Sequence, residues 1–402
     1  MMWTAAKKVL IIQAQMKQYR VPFFERLHRA LQKENLRLRV AYSSPARSEL
    51  QKGDNPDLST ECGKKVKGYW LFRDRILFQP LLREILHSDL VIVEQANKHL
   101  LNHLLLVLSA LGLKRVAFWG HGRDFQSRGP SFSEWFKVKT LSSVDWWFAY
   151  TEKTKSHLRE HGVNPEKITV VQNAVDTRQF REELESISDA EREQARRSLG
   201  IAADSQVGLF CASITPQKQP QFLLSSALRI KELVPRFELL VVGGGPREQV
   251  IREAAGKHSW IHFLGPQFGR NKALYHRISN IAMMPCAVGL GILDAFAAGL
   301  PLLTTEDPAH GPEITYLETG INGPNGIMTV HDVDAYSQAV ISLLSDSNRL
   351  RTLQEYAVLS SRNYTIENMA ERFRWGILAC LDKLPLQNEP EPASENLWGC
   401  PQ

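Results

Sequence analysis

Short apolar runs alternate with amphipathic stretches along most of the chain. Residues 9–12, 89–93 and 237–242 are rich in Val, Ile and Leu and have the length of buried strands. Residues 22–31 instead repeat apolar side chains at the three- and four-residue spacing of an amphipathic helix. This alternation predicts an α/β fold with parallel, doubly wound sheets, which bind ligands at the carboxyl ends of their strands.

The alternation stops once, between residues 176 and 204, and then restarts. This stretch is charged and lacks a strand pattern, which is typical of a linker with one helix near residues 190–199. The chain has 402 residues, more than one hydrophobic core usually covers. The predicted divisions are a first domain at 1–178, a linker at 179–204, a second domain at 205–365, a C-terminal helix at 366–382 packing back on the first domain, and a disordered tail at 383–402 rich in Glu, Pro and Asn.

Charge is unevenly distributed between the two halves. Residues 1–175 contain 28 Lys and Arg against 16 Asp and Glu, whereas residues 176–402 contain 21 against 27. An anionic partner for the first half and a solvated basic face both explain this excess. Nucleic acid is not expected as a partner, because aromatic residues are not interleaved with the basic ones along a groove.

Membrane contact is a separate question. Arg26, Arg29, Lys33 and Arg37 form a basic stripe that suits an anionic membrane surface, with a solvated helix face as the alternative. The longest apolar run, residues 104–113, is about half a membrane span, and no segment has a signal-peptide pattern. The five scattered cysteines fit a reduced protein without structural zinc. We therefore expect a cytoplasmic protein, peripheral to the inner face of the cytoplasmic membrane at most.

Several strand ends carry residues that could bind a ligand or take part in catalysis. His121 lies between two glycines after a strand, where it can donate a hydrogen bond or act as a base, unless it caps a backbone carbonyl. Lys218 begins a helix and can bind phosphate as a point charge, unless it is an ordinary surface lysine. Gly243, Gly245 and Pro246 form a Gly-rich turn that alone is weak evidence for a nucleotide site.

Residues 285–301 form the most informative stretch, a strand end followed by a Gly-punctuated turn and a helix. Gly289 lets an anion approach the backbone N–H groups at the helix start, so we expect the turn to bind an anion such as a phosphate. Asp294 is the only acid in that helix and needs a partner such as a ligand hydroxyl. His310 and Glu313 follow the next strand and should lie at the same sheet edge. For the two acids, Asp294 and Glu313, the alternative role is helix capping.

These segments together resemble the retaining nucleotide-sugar glycosyltransferases of the GT-B architecture, in particular glycosyltransferase family 4 (group 1). The resemblance covers about residues 8–382 and rests on segments spread along the chain: 19–27, 120–122, 171–176, 213–218, 242–246, 285–301, 312–313 and 320–323. It implies two doubly wound Rossmann-like domains facing a cleft, with the acceptor on the first and the nucleotide-sugar on the second. It also implies no cofactor and no metal, with a nucleotide diphosphate-sugar as co-substrate.

Two departures from the family pattern affect the site. Laid on the pattern E-G-F-G-L-x-x-L-E-A, the chain has Cys286 for the first acid and Asp294 for the second, and it has Ser213 where an arginine usually holds the diphosphate. The resemblance implies that Asp294 still contacts the ribose, while the sugar contact at position 286 is lost. Glu313, with His310, is our candidate to replace that contact.

The remaining roles follow from the same resemblance. Lys218 and the backbone N–H groups of Gly289 and Leu290 would hold the phosphates, and His121 would orient the sugar or its acceptor. The predicted catalytic residues are His121, Lys218 and Glu313. The predicted donor-binding residues are Ser213, Gly243, Gly245, Pro246, Phe263, Cys286, Gly289, Leu290, Asp294 and His310.

The predicted function is therefore retaining, metal-independent transfer of a hexosyl group to a hydroxyl of a glycan or lipid-linked glycan, in cell-surface polysaccharide assembly. The alternative is a catalytically impaired shell of the same fold that acts as a binding or scaffold protein. A nicotinamide-dependent dehydrogenase is disfavoured, because the chain lacks a strand-G-x-G-x-x-G-helix unit followed by a ribose-binding acid.

Overall fold

The computed structural model describes residues 6–46, 55–96, 98–122, 138–320 and 324–384. The described strands are β1 (Lys7–Gln15), β2 (Leu36–Ser43), β3 (Gly63–Lys65), β4 (Tyr69–Leu71), β5 (Ile76–Phe78), β6 (Leu90–Glu94), β7 (Arg115–Gly120), β8 (Trp146–Ala149), β9 (Ile168–Val170), β10 (Gln206–Cys211), β11 (Phe237–Val242), β12 (Ile261–Gly265), β13 (Ile281–Met283), β14 (Leu302–Thr305) and β15 (Gly326–Thr329).

The described helices are α1 (Val21–Lys33), α2 (Leu82–Leu86), α3 (Leu100–Ala110), α4 (Glu152–Glu160), α5 (Thr177–Glu185), α6 (Asp189–Ser198), α7 (Pro220–Leu233), α8 (Glu248–Lys257), α9 (Gly269–Arg277), α10 (Gly291–Ala297), α11 (Val333–Ser345), α12 (Ser347–Asn363) and α13 (Ile366–Cys380). The chain divides into two compact units, unit 1 at residues 1–176 with 366–402 and unit 2 at residues 177–365.

Unit 1 is built on a seven-stranded sheet in the order β3-β2-β1-β6-β7-β8-β9. Every pairing in it is parallel, and both faces are apolar because helices cover them. A separate antiparallel hairpin, β4–β5, lies outside this sheet. The strand order reverses between β1 and β6, so this sheet has its switch point there.

The C-terminal helix α13 belongs to unit 1. The ring of Phe373 stacks on Phe148 of β8 at 4.4 Å and meets the rings of Phe23 and Trp119 edge-on at 5.0 Å and 4.9 Å. Aromatic pairs of this kind contribute about 0.5–1.5 kcal/mol each beyond their burial. This cluster fixes α13 between α1 and the sheet, although about 190 residues of unit 2 separate it from the rest of unit 1.

Unit 2 contains a six-stranded sheet in the order β12-β11-β10-β13-β14-β15. All of its pairings are also parallel, and its core combines sheet residues with those of α7, α11 and α12. The predicted fold class, two doubly wound parallel-sheet domains, is thus confirmed.

The predicted linker region differs from the expectation of one helix. It contains two, α5 and α6, and both belong to unit 2. Phe180 and Leu184 on α5 pack against Ala273 and Ala297, which gives that charged helix an apolar anchor. The start of α6 is fixed by a capping box between Ser188 and Glu191, and such a pair satisfies two otherwise unpaired N–H groups.

Some predicted features lie outside the described residues: most of the C-terminal tail (385–402), part of the 43–68 loop (47–54), residues 123–137 after His121, and residues 321–323. No helix among the described residues is long and apolar enough to cross a membrane.

Candidate functional site

The strand order of unit 2 places its switch point between β10 and β13. Strands β11 and β12 extend the sheet on one side, and β14 and β15 extend it on the other. Loops that follow parallel strands adjoin at the carboxyl edge, and ligands bind at the switch point. The loops carrying Lys218, Gly243, Gly289 and Glu313 follow β10, β11, β13 and β14, so the predicted donor residues converge on one edge.

Lys218 connects two of these loops. It ends a short 3₁₀ helix, Pro216–Lys218, and its Nζ donates a hydrogen bond to the carbonyl oxygen of Ala287 in the turn after β13. Burial lowers the pKa of the Lys218 ammonium below its ordinary value, while ionisable groups of the neighbouring loops oppose that shift. A half-buried cation is thereby fixed at the switch point, where its charge is less screened than in water.

Gly243 and Gly245 let the turn after β11 lie directly against the loop after β10. Both have positive φ angles, 140° and 149°. A Cβ at Gly243 would lie 1.9 Å from the carbonyl oxygen of Ala212, and one at Gly245 would lie 2.7 Å from that of Ile214. Any other residue would therefore push the two backbones apart. These glycines position the loop that carries Ser213 and Lys218.

The turn after β13 is braced by the loop after β14. Ala287 N–H donates to the Asp307 carboxylate at 3.1 Å, and Val288 N–H donates to Nδ1 of His310 at 2.9 Å. Because Nδ1 accepts, Nε2 of His310 carries the proton and donates to the carbonyl oxygen of Thr305 at 2.7 Å. His310 is therefore held as a neutral ring that orders this turn, and direct contact with a donor would require exchange of one of these bonds.

Gly289 and Leu290 complete the same turn and lead into α10. Their carbonyl oxygens accept from Ile292 and Leu293. Their own N–H groups donate to no acceptor within the described residues. Backbone N–H groups without a protein partner at such a turn are available to a phosphate oxygen.

Cys286 and Glu313 are both buried, but only Glu313 has a carboxyl group. Cys286 is fully buried, its Sγ lies 3.9 Å from Nδ1 of His331, and burial raises the pKa of the thiol to about 12. Cys286 is therefore uncharged, and its thiol lies against His331, which follows β15 at the same carboxyl edge. Glu313 is 4% exposed, and its Oε2 would lie 2.6 Å from a Cβ at Gly311. Its carboxylate thus lies beside the turn that contains Gly289.

Asp294 has a partner that the sequence did not suggest. Its carboxylate accepts a hydrogen bond from Nζ of Lys272 on α9 at 2.7 Å. Burial is the largest influence and lowers the pKa of Lys272, but Asp294, Cys211 and Glu183 together raise it, and the net shift is upward. The Lys272 ammonium also lies 4.8 Å from the ring centre of Phe180. A ribose hydroxyl at Asp294 would share the carboxylate with this ion pair.

The other predicted donor residues lie on the same edge with differing exposure. Ser213 and Pro246 are exposed in the loops after β10 and β11. Phe263 on β12 is half-buried, and the Arg252 guanidinium lies 4.5 Å from its ring centre. These contacts give no direct evidence for or against donor binding, and the three roles stay predictions.

His121 belongs to unit 1, where it follows β7. Its ring lies 4.3 Å from that of Tyr150 in an edge-on arrangement. The flanking Gly122 has a φ of 73°, and a Cβ there would lie 3.2 Å from Leu158 and 3.3 Å from His157. The loop is therefore pressed against α4, and the His121 ring is packed against Tyr150.

A pocket of about 380 Å³ lies at the switch point of unit 1. The guanidinium of Arg20 lies over the Trp119 ring at 4.3 Å and donates to the Tyr150 hydroxyl at 3.1 Å. Burial raises the pKa of Glu94, at the end of β6, although Arg20 and Lys98 oppose the shift. The pocket therefore combines a fixed guanidinium, two lysines and two carboxyl groups. Its lining is Gln13, Ala14, Gln15, Lys17, Tyr19, Arg20, Ala46, Trp70, Asp74, Glu94 and Lys98.

Sequence reasoning missed four of these groups: Arg20, Glu94, Lys272 and Asp307. Arg20 and Glu94 could have been found as charged residues at strand or helix ends of a buried pattern. Lys272 and Asp307 carried no such signal, because a lysine in an amphipathic helix and an aspartate before a proline are ordinary surface residues.

Within the described residues, only His157, Glu160 and His161 place three potential metal ligands close together, with ligand atoms within 4.8 Å of one another. They lie at the exposed end of α4 in unit 1, whereas the cluster around Lys218 is in unit 2. The absence of a metal from the reaction remains a prediction.

Comparison with known proteins identifies relatives of both units. The family model described as Glycosyltransferase Family 4 matches residues 23–179, and the model described as Glycosyl transferases group 1 matches residues 205–346. A D-inositol 3-phosphate glycosyltransferase from Rhodococcus opacus is 26% identical over 234 residues, which is 55% of this chain and 50% of that protein. The chain thus spans about half the length of the curated relatives it matches.

Solved structures show the same fold. A glycosyltransferase from Rickettsia africae superposes with a TM-score of 0.68 at 15% identity, covering 95% of this chain and all of the other. Anabaena HepE in complex with UDP superposes with a TM-score of 0.66, also at 15% identity, covering 94% of this chain and all of the other. Because family models match residues 23–179 and 205–346, one in each unit, the chain belongs to glycosyltransferase family 4 (group 1).

Proposed function

We propose that this protein is a retaining glycosyltransferase that moves a hexosyl group from a nucleotide diphosphate-sugar to an acceptor hydroxyl. Family membership supports transferase chemistry, and the UDP bound by Anabaena HepE supports a nucleotide donor. The reaction breaks the bond between the sugar C1 and a phosphate oxygen and forms one between C1 and the acceptor oxygen. The acceptor proton passes to the departing phosphate, so no metal and no separate base are needed.

The observation that carries the proposal is the position of Lys218. Its ammonium is fixed against the Ala287 carbonyl, next to the turn whose Gly289 and Leu290 N–H groups lack an acceptor among the described residues. One cation and two N–H groups would thus meet the diphosphate as negative charge develops on it. Donors already in place for developing charge lower a barrier most effectively, because they need no reorganisation during the reaction.

We assign the acceptor to the pocket of unit 1. Arg20, Lys17 and Lys98 outnumber the acids Asp74 and Glu94 in the pocket lining and so favour an anionic group, and Glu94 can accept a hydrogen bond from a hydroxyl. Residues 1–175 also carry a net excess of twelve positive charges, which favours the approach of anions. These features support a phosphate-bearing acceptor such as a lipid-linked glycan, used by a cytoplasmic enzyme in cell-surface polysaccharide assembly. His121 would orient the sugar or this acceptor.

A thermal-shift screen with UDP-, GDP- and ADP-sugars tests the proposal. A ligand that binds only the folded state raises the midpoint by mass action, so one nucleotide series should stabilise the protein. The same mixtures should slowly release free nucleotide diphosphate. If no nucleotide diphosphate or nucleotide-sugar shifts the midpoint, the proposal fails.

Two observations favour the alternative of a binding or scaffold protein. Cys286 is buried and uncharged, and Ser213 replaces the arginine of the family pattern. A protein that binds a nucleotide-sugar but releases no nucleotide diphosphate, with or without acceptor, would support this alternative over the transferase.

A further inference from the structure

Exposed large apolar side chains are concentrated on one part of unit 1. Of the eighteen such residues among those described, eleven lie between residues 69 and 113. Scattered single apolar residues are normal on protein surfaces, whereas a group of neighbours marks an interaction site. The eleven are Tyr69, Leu71, Phe72, Phe78, Leu82, Leu86, Leu100, Leu104, Val107, Leu111 and Leu113.

The helix α3 is apolar on two faces. Leu101 and Leu105 are buried in the core of unit 1. Leu100, Leu104 and Val107 are exposed at positions i, i+4 and i+7, and Leu111 continues this row. The helix contains no charged residue. Packing against the sheet accounts for the first row of leucines, but it leaves the second row without a partner within the described residues.

The hairpin β4–β5 and the helix α2 adjoin α3. Leu77 N–H on β5 donates to the carbonyl oxygen of Lys98 just before α3, at 2.8 Å. Lys114, just after α3, donates to the carbonyl oxygens of Leu86 and Ser88 at the end of α2. The three elements therefore form a continuous surface, residues 67–86 and 98–114, which we call the hairpin–helix face.

The tip of the hairpin is its most exposed apolar point. Phe72 is 72% exposed, and Phe72, Arg73 and Asp74 have φ angles of 50°, 57° and 65°. Three successive non-glycine residues in this region are strained, and strain of this kind persists mainly where a surface has a function.

Cations border the apolar residues. Lys67, Arg73, Arg75 and Arg83 are all exposed, and no ion pair within the described chain involves any of them. A mixed surface of apolar and basic side chains is the pattern by which proteins lie on anionic lipid bilayers. A second copy of the chain is a poorer partner, because a two-fold interface would bring these like charges together.

We propose that the hairpin–helix face docks unit 1 onto an anionic membrane surface, inserting Phe72 and the outer row of α3 among the lipid head groups. Trp70 and Lys98 belong to this face and also line the acceptor pocket. Docking would therefore bring a lipid-linked acceptor to the edge of that pocket. The docking itself stands on the surface alone and does not depend on the proposed reaction. The predicted basic stripe is a weaker candidate, because Arg37 lies on β2 and not on α1 with the other three, and Arg26 is paired with Glu367 at 2.9 Å.

Vesicle sedimentation of the full chain tests this proposal. The protein should pellet with vesicles of equal phosphatidylglycerol and phosphatidylcholine, and should pellet little with phosphatidylcholine alone. The triple variant Leu104→Gln/Val107→Gln/Leu111→Gln should lower the partition coefficient about tenfold or more, because the apolar insertion is lost. The matched triple Leu228→Gln/Leu233→Gln/Leu359→Gln removes exposed leucines of unit 2. Its partition coefficient should stay within about twofold of the wild-type value.

A charge variant separates the electrostatic contribution to membrane binding from the apolar one. Arg73→Glu/Arg75→Glu should weaken binding to the anionic vesicles about tenfold and reduce its sensitivity to salt, whereas Arg349→Glu/Arg351→Glu on α12 should not. Unchanged thermal midpoints exclude unfolding as the cause. The proposal is overturned if the wild type ignores anionic vesicles or if the α3 triple binds like the wild type. A lipid-free dimer that the α3 triple abolishes would also overturn it, since the face would then join two copies.

Discussion

The two units share one sheet architecture, but different groups line their carboxyl edges: mainly backbone groups in unit 2 and side chains in unit 1. In unit 2 the edge is made of tight turns, where Gly243 lets two loops lie against each other and the half-buried Lys218 contacts the turn after β13. In unit 1 the edge is a pocket of side chains in which Arg20 is buried and Glu94 is half-buried. A backbone site recognises a group common to many ligands, such as a diphosphate, whereas a side-chain pocket can select one acceptor.

The difference also explains why one site can be found in the sequence and the other cannot. A turn that needs positive φ or close backbone approach needs glycine, and it leaves a local pattern of letters. A pocket of side chains draws its members from separate strand ends, and their types vary with the ligand. The comparison therefore predicts that changes in unit 2 act on the nucleotide, and that changes in unit 1 act on the acceptor.

Replacement of the cation of unit 2 should have the largest effect. Lys218→Ala should lower turnover about 100-fold, because the departing diphosphate loses a fixed positive charge. The measurement is kcat with saturating donor and acceptor. The exposed Lys257→Ala on α8 is the control for loss of a lysine and should keep wild-type turnover. Equal turnover in Lys218→Ala and wild type would remove Lys218 from the chemistry.

Breaking the Lys272–Asp294 pair should mainly affect stability. Asp294→Asn leaves a largely buried ammonium without its carboxylate and should lower the free energy of unfolding by about 2 kcal/mol. Urea denaturation measures this change, and Asp294→Asn/Lys272→Met should recover most of the loss. If the double variant is stable but binds nucleotide weakly, Asp294 also contacts the ribose.

The same pair predicts a pH dependence with a definite sign. The pKa of Lys272 is raised in the folded state, so its stabilisation is complete below the ordinary lysine pKa and is lost as pH rises through the folded-state value. The Asp294→Asn protein should therefore lose less stability than wild type in strongly alkaline solution. A parallel decline of the two proteins would contradict this assignment.

A conservative change in unit 1 sharpens the comparison. Arg20→Lys keeps the charge beside Glu94 but loses the planar fork that spans Trp119 and Tyr150. The KM for the acceptor should rise about tenfold, with the affinity for nucleotide diphosphate unchanged. Initial-rate kinetics at fixed donor measure the first quantity. A loss of nucleotide affinity instead would mean that the two units do not divide the substrates as proposed.

The smallest effect is expected at Ala287, which has a φ of 48° in the turn after β13. The family pattern has glycine here, and alanine in this region costs about 1 kcal/mol. Ala287→Gly should therefore raise the free energy of unfolding by up to about 1 kcal/mol, less a small entropic loss from the unfolded chain. The measurement is the denaturation midpoint of each protein. A lower midpoint for Ala287→Gly than for wild type would contradict backbone strain at Ala287.

Periodicity was sufficient for the fold. Buried strands such as β6 and β11 are apolar runs of strand length, and the order of strands and helices implied parallel sheets. Periodicity was not sufficient to predict the helix α5. This charged helix packs through only two apolar residues, Phe180 and Leu184, and so sparse an apolar pattern cannot be distinguished from that of a loop.

The candidate site was predictable only where it is local in sequence. Lys218, Gly243, Gly289 and Glu313 follow strands and converge because parallel strands end at one edge. The Lys272–Asp294 pair joins residues 22 positions apart on different helices, and the contact of Cys286 with His331 joins residues 45 positions apart. Long-range contacts of this kind depend on packing and leave no periodic signal.

Calorimetric titration of nucleotide diphosphates into wild type, Lys218→Ala, Lys257→Ala and Arg20→Lys tests the central claim most directly. One nucleotide diphosphate should bind the wild type with one site per chain. Its affinity should fall about tenfold or more in Lys218→Ala and stay unchanged in the other two proteins. Unchanged affinity in Lys218→Ala, or an equal loss in Arg20→Lys, would contradict a donor site built from the turns of unit 2.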